Sequence, residues 1–327
     1  MINPVVIKEI LQRLDTEISK MPFGQSPVEL YEPIRYTMAL GGKRMRPLLT
    51  LLAYRIFRDD WERVLAPAIA VEVFHNFTLL HDDIMDKAPL RRGEPTVFQK
   101  WNESVAILSG DVMMVKAYDL LLESDPVLLP EVLRWFNKTA IEVCEGQQFD
   151  MNFEELREVQ EEDYIHMIRQ KTAVLLGYSL RLGAMLAGEK HPVCDALYQI
   201  GVDMGLGFQL MDDLLDVYAD QSKFGKQVGG DIIANKKTYL LIKAKELAKG
   251  ELHGELEYWL HAKDFDSFEK VNAVTEIYNK LGIRELAIER MDTYYDRAYL
   301  GLEKLPGRLQ YKEELTDLMK RLASRDK

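Results

Sequence analysis

Between Pro192 and Pro306 the chain contains no proline at all. Proline removes a backbone donor and clashes with the preceding turn, so a gap of that length permits several long, uninterrupted helices. Residues 163–186 and 196–218 carry the strongest helical spacing of apolar side chains, and 237–247 starts a further helix after a loop over 220–230. Upstream, punctuation is denser. Val5, Ile7, Ile10, Leu11, Leu14 and Ile18 lie at helical spacing over 4–20, and Pro22, Gly24 and Pro27 end that helix. A second helix over 28–40 stops at Gly41-Gly42, and Pro47 reads as the first residue of a helix over 48–57. Residues 65–85 form the longest apolar periodic stretch of the first third, closed by Pro89, Gly93 and Pro95. Two more helices, over 102–123 and 130–150, precede an acidic connector over 151–162. Period-two alternation is nearly absent, and no linker divides the chain. The pattern predicts an all-α protein of roughly ten or more helices in a single domain over 1–327.

Hydrophobic residues make up 47% and charged residues 29%, the balance of an ordinary globular protein, with no low-complexity segment. The formal net charge of −11 argues against a nucleic-acid partner. That field also repels anionic ligands, so an anion site must be built locally from cations. Cys144 and Cys194 are the only cysteines, which excludes a disulfide framework and a cysteine zinc site. Residues 1–20 lack a secretory apolar core, and no apolar run approaches the ~18 residues of a membrane span, so a cytoplasmic protein is expected.

The chemistry gathers at His81-Asp82-Asp83-Ile84-Met85-Asp86 and again at Asp212-Asp213-Leu214-Leu215-Asp216. Each is an Asp-Asp-x-x-Asp in apolar helical surroundings. On a helix, positions i and i+4 share a face, so Asp82 sits over Asp86 and Asp212 over Asp216. Two carboxylates about 4 Å apart repel by roughly 4 kcal/mol at an effective dielectric of about 20. A lone cluster is commonly a solvated helix face. Two of them, each among apolar neighbours, indicate cations. Aspartate clusters with no Cys ligand suit hard ions, Mg²⁺ first, and Mg²⁺ is usually held by one or two carboxylates together with substrate phosphates. The candidate metal ligands are Asp82, Asp83, Asp86, Asp212, Asp213 and Asp216.

Basic and glycine-rich segments accompany the aspartates. Gly41-Gly42-Lys43-Arg44-Met45-Arg46-Pro47 allows close backbone approach and can turn Lys43 and Arg46 to one side, although by itself it reads first as an ordinary basic turn. Arg91-Arg92-Gly93 either holds phosphate or simply ion-pairs with the nearby aspartates. Lys171-Thr172 stands mid-helix among apolar residues, where a lysine also snorkels to the surface. Phe224-Gly225-Lys226, Gly229-Gly230-Asp231 and Lys236-Lys237-Thr238 follow the second cluster. No P-loop, dinucleotide fingerprint or Ser-His-Asp arrangement is present. Gln209 lies one turn before Asp212, and His75 lies two turns before Asp82, where a lone histidine is more often structural than functional.

Together and in order, Gly41-Gly42-Lys43-x-x-Arg46-Pro47, Leu80-His81-Asp82-Asp83-x-x-Asp86, Arg91-Arg92-Gly93, Lys171-Thr172, Gly207-x-Gln209-x-x-Asp212-Asp213-x-x-Asp216, Gly225-Lys226 and Gly230-Asp231 resemble the trans-isoprenyl diphosphate synthases of the polyprenyl synthetase family. The resemblance implies an isoprenoid synthase-type helical bundle around a central cleft and a homodimer. It implies Mg²⁺, three ions with substrate bound, held by Asp82, Asp86 and Asp212 on the diphosphate of an allylic substrate. Arg91, Lys171 and Lys226 would contact that diphosphate, with Thr172 and Gln209 nearby. Lys43, Arg46, His75 and Arg92 would bind isopentenyl diphosphate. The implied reaction is head-to-tail (1′-4) condensation through an allylic cation. The family often carries Gly-Lys-Lys-Thr where this chain has Asn235-Lys236-Lys237-Thr238, which weakens the diphosphate role implied for Lys236.

Product length is a matter of pocket depth below Asp82. Thr78, Phe77 and Phe74 lie 4, 5 and 8 residues upstream. An aromatic at the fifth position, a small residue at the fourth and an uninterrupted first cluster resemble archaeal-type geranylgeranyl synthases, which implies C20 with C15 next. Competing readings are a cyclase or head-to-head synthase of the same fold, or a catalytically silent prenyltransferase subunit. The second Asp-Asp-x-x-Asp speaks against the cyclase, and the survival of both clusters against the silent subunit.

Overall fold

The structure, a computed structural model, describes residues 4–219 and 229–324. The described residues are almost wholly helical: α1 (Pro4–Lys20), α2 (Val28–Ala39), α3 (Met45–Arg55), α4 (Leu65–Met85), a two-stranded hairpin of β1 (Leu90–Arg91) and β2 (Glu94–Pro95), α5 (Val97–Lys100), α6 (Glu103–Leu121), α7 (Leu129–Glu155), α8 (Glu161–Ile168), a π-helical segment (Arg169–Ala173), α9 (Val174–Leu186), α10 (His191–Tyr218), α11 (Gly230–Ile233), α12 (Tyr239–Leu247), α13 (Glu251–His261), α14 (Ser267–Lys280), α15 (Ile283–Lys304) and α16 (Leu309–Ala323). The chain divides into two compact units. One comprises Met1–Ala140, Leu175–Gly201 and Gly301–Asp317, the other Ile141–Val174, Val202–Leu300 and Leu318–Lys327.

In the first unit α4 packs against α3 and α6. Leu49, Leu51 and Leu52 of α3 and Val71, Val73 and Phe74 of α4 are fully buried. Each such side chain contributes about 1.5–3 kcal/mol over leaving it in water. Residues Trp61–Met85 are long and apolar enough to cross a membrane by composition, contrary to the expectation above, but 67% of that window is buried in the protein. Burial of this extent is that of a core helix. Asn102 caps α6 by accepting from the Val105 N–H at 2.9 Å.

The second unit holds the later part of α7, α8, the π segment, the second half of α10 and α11 to α15. Asp266 caps α14 in the same way, through the Glu269 N–H at 3.0 Å. Several details differ from the sequence reading, among them α10, which begins at His191 rather than 196, and α12, which begins at Tyr239 rather than 237. Helix α3 begins at Met45, behind Arg44 in the left-handed region at φ 44°. Pro47 still falls in the first turn, where its missing N–H costs nothing. Helix α7 runs on to Glu155, its extra turn anchored by buried Phe153. The helix expected over 163–186 contains a π segment at Arg169–Ala173.

Candidate active site

In the first unit, Asp82 and Asp86 lie one turn apart, with the Asp86 N–H donating to the Asp82 carbonyl at 2.8 Å. Asp86 is exposed and Asp82 half-buried. Asp83 is buried, and its Oδ1 accepts from Arg91 Nε at 2.8 Å and from a terminal Arg91 nitrogen at 2.6 Å. Burial raises the Asp83 pKa although Arg91 opposes that shift. Arg91 also stands 3.6 Å from Asp82.

The hairpin that delivers both arginines turns at Arg92 and Gly93, with φ 56° and 82°. Positive φ at both central positions is what a two-residue hairpin loop of type I′ requires. The turn carries Arg92 to the Gly41 carbonyl, which accepts from its guanidinium. A Cβ at Gly42 would stand 2.9 Å from that guanidinium, so the glycine admits it.

Arg44 is buried. It donates to Asp15 at 3.0 Å, Glu72 at 3.1 Å and the Met38 carbonyl at 2.8 Å. It thereby fixes the turn that presents exposed Lys43 and half-buried Arg46. His75 is half-buried, and lost hydration together with the charges of Arg46, Arg92, Arg91 and Arg44 holds its pKa well below the ordinary value. The imidazole is therefore neutral among cations, and an anion placed here meets positive charge from several sides.

In the second unit, the π segment carries Lys171 and Thr172. Such bulges widen one turn and re-aim its side chains, and they recur at functional sites. Helix α7 comes backbone to backbone with it: a Cβ at Gly146 would stand 2.2 Å from the Lys171 nitrogen. Lys171 Nζ donates to Asp150 at 2.6 Å. Thr172 donates to Gln209 Oε1 at 3.0 Å, and Gln209 Nε2 donates to Asp213 Oδ1 at 3.2 Å. The Tyr164 hydroxyl donates to the other oxygen of Asp213. Asp213 is buried, and burial followed by repulsion from Asp231 raises its pKa well above the carboxylate range. Asp216 Oδ2 accepts the Asp231 N–H at 2.9 Å.

These residues line a cavity of ≈ 450 Å³ that also includes Asp212, Asn235, Lys236 and Lys237. Its donors to a cation are carboxylate oxygens, with no His or Cys among the lining residues. That set fits a hard ion. Among the described residues no three acidic, imidazole or thiol groups form a ready-made metal shell. A Mg²⁺ ion matches such an incomplete set because it keeps waters and takes ligand phosphate oxygens.

Residues 27–281 match the family described as polyprenyl synthetase. The chain belongs to the polyprenyl synthetase family. It is 38% identical over 289 residues to a geranylgeranyl diphosphate synthase of Methanosarcina mazei, covering 88% of each chain. It is 43% identical over 238 residues to a short chain isoprenyl diphosphate synthase of Methanocaldococcus jannaschii, covering 72% of each. A crystal structure of a geranylgeranyl pyrophosphate synthase matches with a TM-score of 0.92 at 39% identity, covering 100% of both chains. The protein is therefore a prenyltransferase with the all-α fold of this family.

The fold brings Arg46, His75 and Arg92 of the expected set into one basic environment, and Lys171, Thr172, Gln209, Asp212, Asp213, Asp216 and Lys236 into one cavity. Lys236 lines that cavity despite the departure before it, because Asn235 adopts φ 52°, a conformation glycine favours. Lys226, with Phe224 and Gly225, lies outside the described residues. Phe74 is fully buried in an aromatic cluster, 5.1 Å centroid to centroid from Phe136. Phe77 is half-buried and stacks edge-on against His81 at 4.8 Å. Thr78 donates back to the His75 carbonyl at 2.8 Å.

Sequence reasoning assigned no role to Arg44, Asp150 and Tyr164. Arg44 stood in plain view inside the glycine-rich motif. The other two are made relevant only by the tertiary fold.

Proposed function

We propose that this prenyltransferase joins isopentenyl diphosphate head to tail to an allylic diphosphate, with the C20 geranylgeranyl product first and C15 farnesyl second. The observation that carries the reading is the cavity in which carboxylates Asp212 and Asp216 share a wall with Lys171 and Lys236. Anionic and cationic groups side by side suit a diphosphate that arrives with divalent ions. The relatives' names support C20, as do the uninterrupted first cluster and the half-buried Phe77.

Bound Mg²⁺, three ions in the full complex, would neutralise the diphosphate and so favour its departure as an anion. Asp82, Asp86 and Asp212 would hold those ions, with Asp216 beside them. Asp83 and Asp213 would act behind them, orienting Arg91 and Gln209. Arg91, Lys171 and Lys226 would receive the charge that develops as the allylic C–O bond breaks and the diphosphate leaves with the electron pair. Lys43, Arg46, His75 and Arg92 would hold isopentenyl diphosphate so that its terminal carbon attacks the allylic carbon. The proton then lost passes to the released diphosphate. Apolar helix faces must exclude water while the cation exists.

The working protein is proposed to be a homodimer in the cytoplasm. Along α6 and its C-cap the exposed Ile107, Leu108, Val115 and Leu122 fall within roughly a 100° arc, an apolar stripe that a second copy would cover.

The test is diphosphate release from isopentenyl and geranyl diphosphates, with Mg²⁺ and then with excess chelator. Release that stops on chelation and returns with Mg²⁺ supports the reading. Release unaffected by chelation contradicts it.

A further inference from the structure

Lys270, on α14, is fully buried and far in sequence from every motif described above. Its ammonium lies 2.7 Å from Asn235 Oδ1 and 3.3 Å from the Ile233 carbonyl, over the face of Phe265 at 4.3 Å. Among the described residues, then, two neutral oxygens and a ring meet this charge. Burial lowers its pKa, so the fold bears a cost to keep it there.

What the lysine holds is the turn leading into the cavity. Asn235 sits at φ 52°, and its amide donates to the Leu260 carbonyl at 3.1 Å. The side chain is thus fixed at both ends, by Lys270 on one side and the end of α13 on the other. Left-handed backbone is costly for a residue with a Cβ, less so for Asn. Here the conformation is secured by the side chain's anchors. The next two residues, Lys236 and Lys237, line the cavity, with the Lys236 N–H returning to the Asp231 carbonyl at 2.9 Å.

We propose that Lys270 and Asn235 are a positioning pair for the diphosphate site, holding residues 234–238 in the shape that places Lys236 beside a bound diphosphate. Lys270 does not line the cavity and acts through the loop, by way of the Asn235 side chain. The inference rests on the proposed function, because it takes the cavity to be the diphosphate site.

The experiment is steady-state kinetics on the full chain with geranyl and isopentenyl diphosphates, comparing Lys270→Met, Asn235→Gly, Asn235→Ala and the Lys270→Met/Asn235→Gly double variant. Lys270→Met should raise the KM for geranyl diphosphate roughly tenfold, the scale of one lost charged hydrogen bond. Its KM for isopentenyl diphosphate should stay within about twofold. Asn235→Gly loses the anchor but accepts the backbone conformation, so its KM should rise less than that of Asn235→Ala. In the Gly background, Lys270→Met should add under threefold, since its principal partner is already gone. A full tenfold effect in both backgrounds, or equal KM values for the Gly and Ala variants, would overturn the pairing. Thermal melting of each variant separates misfolding from mispositioning, and Asn235→Gly keeps the test open if Lys270→Met does not fold. An inactive wild-type protein would count against the proposed function itself. An active one with unresponsive variants would count against this pair alone.

Discussion

Arg91 gives two of its nitrogens to a single oxygen of Asp83, at 2.8 and 2.6 Å, while Asp82 beside it lies 3.6 Å from the same guanidinium. Adjacent aspartates of one motif thus do different work. Asp83 orients an arginine, and Asp82 shares a helix face with Asp86. The second cluster repeats the division, with Asp213 tied to Tyr164 and Gln209 while Asp212 lines the cavity.

That division separates the effects of Asp→Asn changes. Asp82→Asn and Asp212→Asn should each lower kcat/KM by about 10²–10³, the scale of removing one preorganised electrostatic contact. Asp83→Asn and Asp213→Asn should cost nearer tenfold, because an amide still accepts a hydrogen bond. Steady-state rates with the four variants check this ordering, and equal losses within a motif would contradict it.

Tyr164→Phe removes one of the partners of buried Asp213 without changing the ring. A buried acceptor left short of a donor costs about 1–3 kcal/mol, so denaturant melting should show a loss of that size. No loss would mean that the Asp213 carboxyl is satisfied without the hydroxyl.

Much of this was legible in the sequence. The i, i+4 aspartates, the apolar spacing of 65–85 and the long stretch without proline depend on local geometry, and the helices form where that geometry places them. The basic motifs were legible as chemistry but not as partners: nothing local shows that Arg44 turns inward to Glu72 while Arg46 remains at the turn. The π segment was hidden because Lys171-Thr172 fits an α-helical pattern equally well. The segment lies against α7 at Gly146, a contact made by residues distant in sequence. Asp150, Tyr164 and Lys270 gain their roles the same way.

His75 makes stability depend on pH. Its folded-state pKa lies below the ordinary 6.5, so the unfolded chain binds more protons as pH falls. The stability is therefore present above about pH 6.5 and is lost below it. Melting temperature should drop from pH 7.5 to 5.5, and less steeply in His75→Gln. Added inorganic diphosphate should shrink the drop by supplying negative charge. Identical slopes in both proteins would remove His75 from this account.

Phe74 and Phe77 should behave differently when truncated. Phe74→Ala opens a fully buried aromatic cluster and should cost about 3–5 kcal/mol of stability. Phe77 is half-buried, so Phe77→Ala should fold and lengthen the product by one or more C5 units. An unchanged product from a well-folded Phe77→Ala would show that the floor lies elsewhere.

The most direct measurement is to size the products themselves. The pure protein would be incubated with Mg²⁺, isopentenyl diphosphate and in turn dimethylallyl, geranyl and farnesyl diphosphate, and the prenyl alcohols separated after phosphatase treatment. The account predicts C20 geranylgeraniol as the main alcohol from all three starters, with C15 second from the two shorter ones. Failure to add an isopentenyl unit to any starter would contradict it.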